Sequence, residues 1–259
     1  MTALFGATFA VTVAAMLLLW LVSLAKRDVS IVDAYWGPGF AVIAVVACVL
    51  ADGAAPRRIL VTALTVAWGL RLGGYLLWRN WRRPEDFRYA AMRRSWGDRF
   101  PLVSLATVFG LQAVLMWIVS LPVQVAASSA VPARLGPLDA LGVLVWGTGL
   151  AFEAIGDWQL ARFKADPTSA GRVLDRGLWR YTRHPNYFGD ACVWWGLFLI
   201  ACATPGGAWT LPAPILMTVF LRRISGVPML ERALLKRRPG YAEYVARTSA
   251  FFPRPPRPG

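Results

Sequence analysis

Apolar runs separated by short polar connections repeat along this chain, at residues 2–25, 35–51, 59–78, 101–127, 138–160, 187–204 and, more briefly, 209–221. Several approach the roughly 20 residues that a helix needs to cross the hydrocarbon core of a bilayer. The pattern predicts an all-α fold, a polytopic membrane protein of about seven transmembrane helices. The seventh run is too short to cross upright, and Pro212 and Pro214 break its start, so a tilted or partial helix is expected there. Beyond it, residues 225–247 alternate charges with Leu230, Leu234, Leu235, Tyr241, Tyr244 and Val245. That alternation predicts short amphipathic helices lying on the cytoplasmic surface. The polar connections are too short to hold a second globular body, so one membrane domain over residues 1–259 is expected.

Composition agrees: 57% of the residues are apolar and thirteen are tryptophan, which excludes an ordinary soluble domain. Charge then orients the helices. The first run has no basic residues before it, and Lys26 and Arg27 follow it, so it reads as an uncleaved first helix with its N-terminus outside. Alternating from there, residues 26–33, 79–99, 162–183 and the tail from 222 face the cytoplasm. These segments hold most of the basic residues, whereas the outer connections hold Arg57, Arg58 and Arg134. This is the positive-inside pattern. The net charge of +14 therefore follows topology and attraction to membrane lipids, and gives no sign of nucleic-acid binding. Three cysteines inside apolar runs and a single histidine exclude a disulfide framework and any metal centre of familiar donor set, so no metal is expected.

Candidate chemistry concentrates in residues 177–190, where Arg180, Arg183, His184, Asn186, Tyr187 and Asp190 precede an apolar run. Pro185 ends any helix before it, and the N–H groups that open the next helix favour an anion. Glu153 and Asp157 stand at i and i+4 on the fifth run, with Lys164 near its end. Carboxylates in a membrane segment face either a basic partner or a polar ligand, and both readings fit here. Arg222, Arg223, Glu231, Tyr241, Tyr244 and Arg247 follow the seventh run, either clamping phosphates or snorkelling to lipid. In the front half, Asp33 and Tyr35 open the second run, Tyr75 lies in the third, and Glu85, Asp86, Arg88 and Tyr89 sit in the next connection. Asp33 either caps its helix or acts as a donor, and Glu85 and Asp86 either close over a site or pair with their arginines.

At these positions the chain resembles the steroid 5α-reductase C-terminal superfamily, in its bacterial DUF1295 branch. The likeness is specific in residues 177–190 and extends from Glu153 through Arg222-Arg-Ile-Ser-Gly-Val-Pro-Met-Leu-Glu231 to Arg247. The front half resembles the DUF1295 proteins in Asp33-Ala-Tyr-Trp-Gly37 and residues 79–89. The resemblance implies a seven-helix fold in a bacterial inner membrane, with the C-terminus and a cofactor site on the cytoplasmic side. It implies a front region, 1–127, that receives a hydrophobic lipid or steroid-like substrate. A rear region, 138–250, would hold NADPH for reduction of an activated C=C bond. Cofactor contacts carried over are Glu153, Asp157, Lys164, Arg180, Arg183, His184, Asn186, Tyr187, Asp190, Arg222, Arg223, Glu231, Tyr241, Tyr244 and Arg247.

The likeness departs at the chemistry. Steroid reductases place an acid before a Pro-x-Phe-Ala-Val phrase, whereas Pro38-Gly-Phe-Ala-Val42 follows Trp36 and Gly37 here. Asp33, Tyr35 and Tyr75 are the candidate catalytic donors in its stead. Two other classes share the rear signature. S-adenosylmethionine-dependent isoprenylcysteine and phospholipid methyltransferases resemble Arg183–Tyr187, Glu231 and Glu243–Arg247, and a non-catalytic lipid- or sterol-binding membrane protein would need no catalytic donor at all.

Overall fold

The first apolar run carries no charge before Lys26, and in the computed structural model it forms one helix, α1 (Thr2–Lys26). The structure describes residues 1–224, 231, 234, 235 and 238–257, and all regular structure among them is helical. Helix α1 stops where Arg27 turns left-handed (φ 53°) and the Asp28 N–H bonds back to the Ser23 carbonyl at 3.1 Å. Helices α2 (Ile31–Leu50), α3 (Ala55–Asn80), α4 (Phe87–Trp96), α5 (Phe100–Ser104), α6 (Leu111–Val119) and α7 (Leu121–Ser128) follow. A wide π-helical turn, Leu105–Gly110, joins α5 to α6. Then come α8 (Pro137–Ala165), α9 (Pro185–Cys202), α10 (Pro212–Val219) and α11 (Tyr241–Arg247).

Among the described residues, five helical stretches are long and apolar enough to cross a membrane: α1, α2, α3, the span Phe87–Val119 and α8. This makes the chain an integral membrane protein. The sixth and seventh predicted runs form α9 and α10, which are not among the five. Asn186 and Asp190 dilute the start of α9, and α10 has eight residues before the chain widens into the π-helical turn Phe220–Ile224. The predicted surface helices over 225–247 lie partly outside the described residues; within the span, residues 231, 234 and 235 are helical and α11 buries Tyr241 and Tyr244.

The fold divides into two compact units, the first comprising Met1–Gly136 with Ile200–Thr210, the second Pro137–Leu199 with the chain from Leu211 onward. Each unit is built on a pair of helices packed backbone to backbone. In the first, a Cβ on Gly37 of α2 would lie 2.1 Å from the Gly69 carbonyl oxygen of α3. In the second, a Cβ on Gly149 of α8 would lie 2.5 Å from the Gly189 carbonyl oxygen of α9, and one on Gly189 equally close to that of Gly149. Small residues permit this approach, which maximises dispersion contact where lipid removes the hydrophobic drive for helices to associate.

One polar cluster inside the first unit is satisfied side chain to side chain. Gln124 of α7 accepts from Thr8 of α1 at 2.6 Å and donates to Ser120 at 2.7 Å, while Trp117 donates to Thr8 at 3.1 Å. Such pairing is obligatory where no water reaches.

Candidate functional site

Two polar clusters carry the candidate residues, one in each unit. In the first unit, Asp33 stands in the opening turn of α2. Ser30, not Asp33, is the N-cap residue there, and the helix begins at Ile31, ahead of the predicted residue 35. The Asp33 carboxylate is occupied: Arg88 donates to Oδ2 at 2.6 Å and the Tyr89 hydroxyl to Oδ1 at 2.8 Å. Glu85 pairs with Arg93 at 2.7 and 3.0 Å and accepts the Val29 N–H at 2.9 Å, and Asp86 pairs with Arg88 at 2.8 Å. The acids of this connection therefore pair with their arginines and tie the start of α2 to that of α4. Trp36 adds a hydrogen bond to Gln112 of α6. Tyr35 is half-buried, its ring over Gly39, and its hydroxyl makes no hydrogen bond among the described residues. Tyr75 sits between the guanidinium groups of Arg71 and Arg79, at 5.8 and 5.9 Å from its ring centre.

The second unit gathers more of the candidates. Gly177 (φ 62°) starts a tight turn, Gly177–Arg180, because Gln159 of α8 presses against it and accepts the Leu178 N–H at 3.0 Å. Trp179 then inserts, donating to the Gly156 carbonyl at 3.1 Å and accepting the Tyr244 hydroxyl at 2.5 Å. From there the chain runs along the C-terminal tail: Thr182 donates to Phe251 O at 2.8 Å, Arg183 N to Ser249 O at 2.9 Å, and Arg254 N to Tyr181 O at 3.0 Å. The final Arg-Pro segment is thus docked, through at least Arg257, whose N–H meets Arg247 O at 3.0 Å.

Arg183 lies at the centre. Its guanidinium is 8% exposed and grips Glu231 through Nε at 2.6 Å and Nη2 at 3.1 Å, while Nη1 donates to the carbonyls of Val245 and Thr248. His184 Nε2 is 3.2 Å from the same carboxylate, and its ring stacks on Tyr187, with centroids 5.4 Å apart. Burial opposes ionisation of Glu231, but the bonds from His184 and Arg183 outweigh it and hold the carboxyl down to about 2. Burial, and then the Glu231 charge, push the Tyr241 phenol up to about 12. Asn186 at the start of α9 donates to Asp157 at 3.2 Å. Glu153 and Asp157 are buried on α8, Asp190 lies one turn into α9, and Lys164 is exposed at the end of α8.

Around this knot open two cavities. One of 330 Å³ is lined by Arg183, Arg222, Arg247, Arg254 and Arg257 with Phe251 and Phe252. The other, of 450 Å³, is lined by Asp175, Arg176, Arg180, Arg247 and Arg257. They share Arg247, Thr248 and Arg257 and form one basic basin. Arg222 stacks on Phe252 at 5.7 Å and Arg247 is 3.3 Å from Asp175, while the guanidinium groups of Arg180, Arg254 and Arg257 make no hydrogen bond among the described residues. Among those residues, Asp175 is the one carboxylate lining either cavity. Clustered cations with so little compensation repel one another, and an anionic ligand relieves that. The donor set suits phosphate groups, which arginine grips in bidentate fashion. Of the predicted contacts, Arg180, Arg222 and Arg247 line the basin, and Arg183 does so beside its pairing to Glu231. Arg176, Arg254 and Arg257 join them without having been singled out in the sequence. Arg223 is exposed and lines neither cavity.

An all-helical integral membrane protein with an arginine-lined basin beside a buried Arg–Glu–His knot is the class that fold and site define. The chain belongs to the family of proteins of unknown function DUF1295, whose profile matches residues 19–248. Uncharacterized protein C594.04c of Schizosaccharomyces pombe is 25% identical over 270 residues, covering 91% of this chain and 76% of the relative. No solved structure matches the chain.

Proposed function

We propose that the protein is an NADPH-dependent reductase of an activated C=C bond in a hydrophobic lipid. The observation that carries this reading is the basin: arginines in two adjoining cavities suit the separate phosphates of an extended dinucleotide. In this reading Arg176, Arg180, Arg222, Arg247, Arg254 and Arg257 bind phosphate, while the knot of Arg183, His184 and Glu231 holds the basin's wall in place. When bound, the cofactor supplies a hydride equivalent to the β-carbon of the alkene. The α-carbon takes a proton, and a hydrogen-bond donor on the conjugated carbonyl stabilises the charge that develops there. Of the proposed donors Asp33, Tyr35 and Tyr75, Tyr35 is foremost, because its hydroxyl is uncommitted whereas the Asp33 carboxylate already serves Arg88 and Tyr89. The apolar membrane setting suits a lipid substrate, steroid-like or otherwise.

Methyl transfer from S-adenosylmethionine is the second reading. It leans on Arg183, Tyr187 and Glu231, but Arg183 and Glu231 are closed on one another, and a compact cofactor with one carboxylate leaves most of the basin's arginines unused. A purely lipid-binding role remains the third. The test is turnover: detergent-purified protein is mixed with NADPH and a panel of enone lipids, and reduced nicotinamide is followed by absorbance. Oxidation coupled to a product two hydrogens heavier supports the reading, and methylated product formed from S-adenosylmethionine instead would replace it.

A further inference from the structure

A third cavity, of 360 Å³, continues the basin along α8. It is lined by Trp158, Gln159, Arg162 and Phe163, and it shares Arg176 and Gly177 with the 450 Å³ cavity. The three cavities therefore run in series: the first carries Trp158 and Phe163 beside Arg162 and Arg176, the middle one has no aromatic residue, and the last sets Phe251 and Phe252 among its arginines. Trp158 is what the first cavity adds. Trp158 is 58% exposed, and Arg162 lies 5.6 Å over its ring. Gln159 spends its carbonyl on the Leu178 N–H, which leaves its amide NH₂, packed against Gly177, as a donor in the same cavity.

We propose that the cavity at Trp158 receives the aromatic base of a nucleotide whose phosphates lie over Arg176, Arg180 and Arg247. A flat π-face, a guanidinium and an amide donor are what stack a heteroaromatic ring and bond to its ring nitrogens. The cavity order matches the order of parts in a nucleotide, base first and phosphates next. This inference rests on reading the basin as a dinucleotide site, but it makes a separate claim, that the ligand's base and not only its phosphates is recognised.

The test uses full-length protein in detergent, titrated calorimetrically with ADP and with inorganic pyrophosphate. Trp158→Ala and Trp158→Phe are compared with the parent. ADP is expected to bind more tightly than pyrophosphate. Trp158→Ala should weaken ADP by roughly 5- to 150-fold, the range for one stacked base, and leave pyrophosphate unchanged. Trp158→Phe, which keeps a ring, should retain most of the affinity. Because Trp158 is exposed, neither change opens the core, and a thermal melt verifies this. Equal affinity for ADP and pyrophosphate, or an equal loss of both in Trp158→Ala, would overturn the inference and leave Trp158 as an interfacial aromatic anchor. A phospholipid headgroup, the other source of phosphate at this surface, carries no base and would give that same equality. If NADPH binds undiminished to Trp158→Ala, the base subsite fails while the reductase reading stands. If ADP shows the Trp158 dependence but NADPH does not bind, the reductase reading fails and the subsite stands.

Discussion

Arg183 and Glu231, 48 positions apart in the chain, meet through two hydrogen bonds of 2.6 and 3.1 Å in a nearly buried pair. The pair joins the turn before α9 to a residue from the segment after α10, and through the carbonyls of Val245 and Thr248 it also secures the docked tail. Removing either partner leaves the other charge poorly solvated, which costs about 3–5 kcal/mol. Arg183→Ala and Glu231→Ala should therefore lower the thermal midpoint of the purified protein sharply. Unchanged melting in both would mean that the pair is absent in the membrane protein.

The same pair sets an acid limit. Glu231 is held at about 2, below its ordinary value of 4.5. Its contribution to stability is thus complete above pH 4.5 and is lost as the pH falls from 4.5 toward 2. Melting curves across that window should show the loss, and Glu231→Gln should remove this part of the slope.

Close helix contact gives a matched comparison. A methyl on Gly149 would meet the Gly189 carbonyl, whereas one on Gly147, two residues away, would meet nothing within 4 Å. Gly149→Ala should destabilise the protein by about 1–3 kcal/mol, the usual penalty of overpacking. Gly147→Ala should be neutral. Equal melting of the two variants would contradict the α8–α9 packing.

Tyr35 separates chemistry from folding. Its hydroxyl makes no hydrogen bond among the described residues, so Tyr35→Phe should leave the melting temperature unchanged. If Tyr35 is the donor to the substrate, turnover should fall by about 10²- to 10⁴-fold. Asp33→Ala, by contrast, breaks the contacts to Arg88 and Tyr89 and should lower stability and turnover together.

Much of the helical frame was legible because membrane length and hydropathy dictate it. The first and third runs became α1 and α3 with ends shifted by a few residues. The fourth run read as continuous but widens at the π-helical turn and breaks before Pro122, where backbone geometry overrides hydropathy. Gly142, Gly149 and Gly156 recur at seven-residue spacing opposite Gly189 and Gly196. That signal stands in the sequence at helical spacing, and the close approaches of Gly149 to Gly189 and of Gly142 to Gly196 give it its meaning. The pairing of acids with arginines near Asp33 was one of two open readings, and the contacts of Arg88 and Arg93 decide it.

The basin was harder to read. Residues 177–190 announced themselves by density of donors, but the role of Arg254 and Arg257 depends on backbone bonds to Tyr181 and Arg247, tens of residues away. A Pro-Arg tail with no hydropathic pattern looks frayed, and only its long-range partners show otherwise.

The central claim, a dinucleotide phosphate basin built from the arginines of the second unit, is tested most directly by titrating detergent-purified protein with NADPH, NADH and S-adenosylmethionine, alongside an Arg247→Ala, Arg257→Ala double variant. Saturable binding of NADPH, tighter than that of NADH and weakened at least tenfold in the double variant, is the expected result. No binding of either nicotinamide cofactor at millimolar concentration, with saturable binding of S-adenosylmethionine, would contradict it.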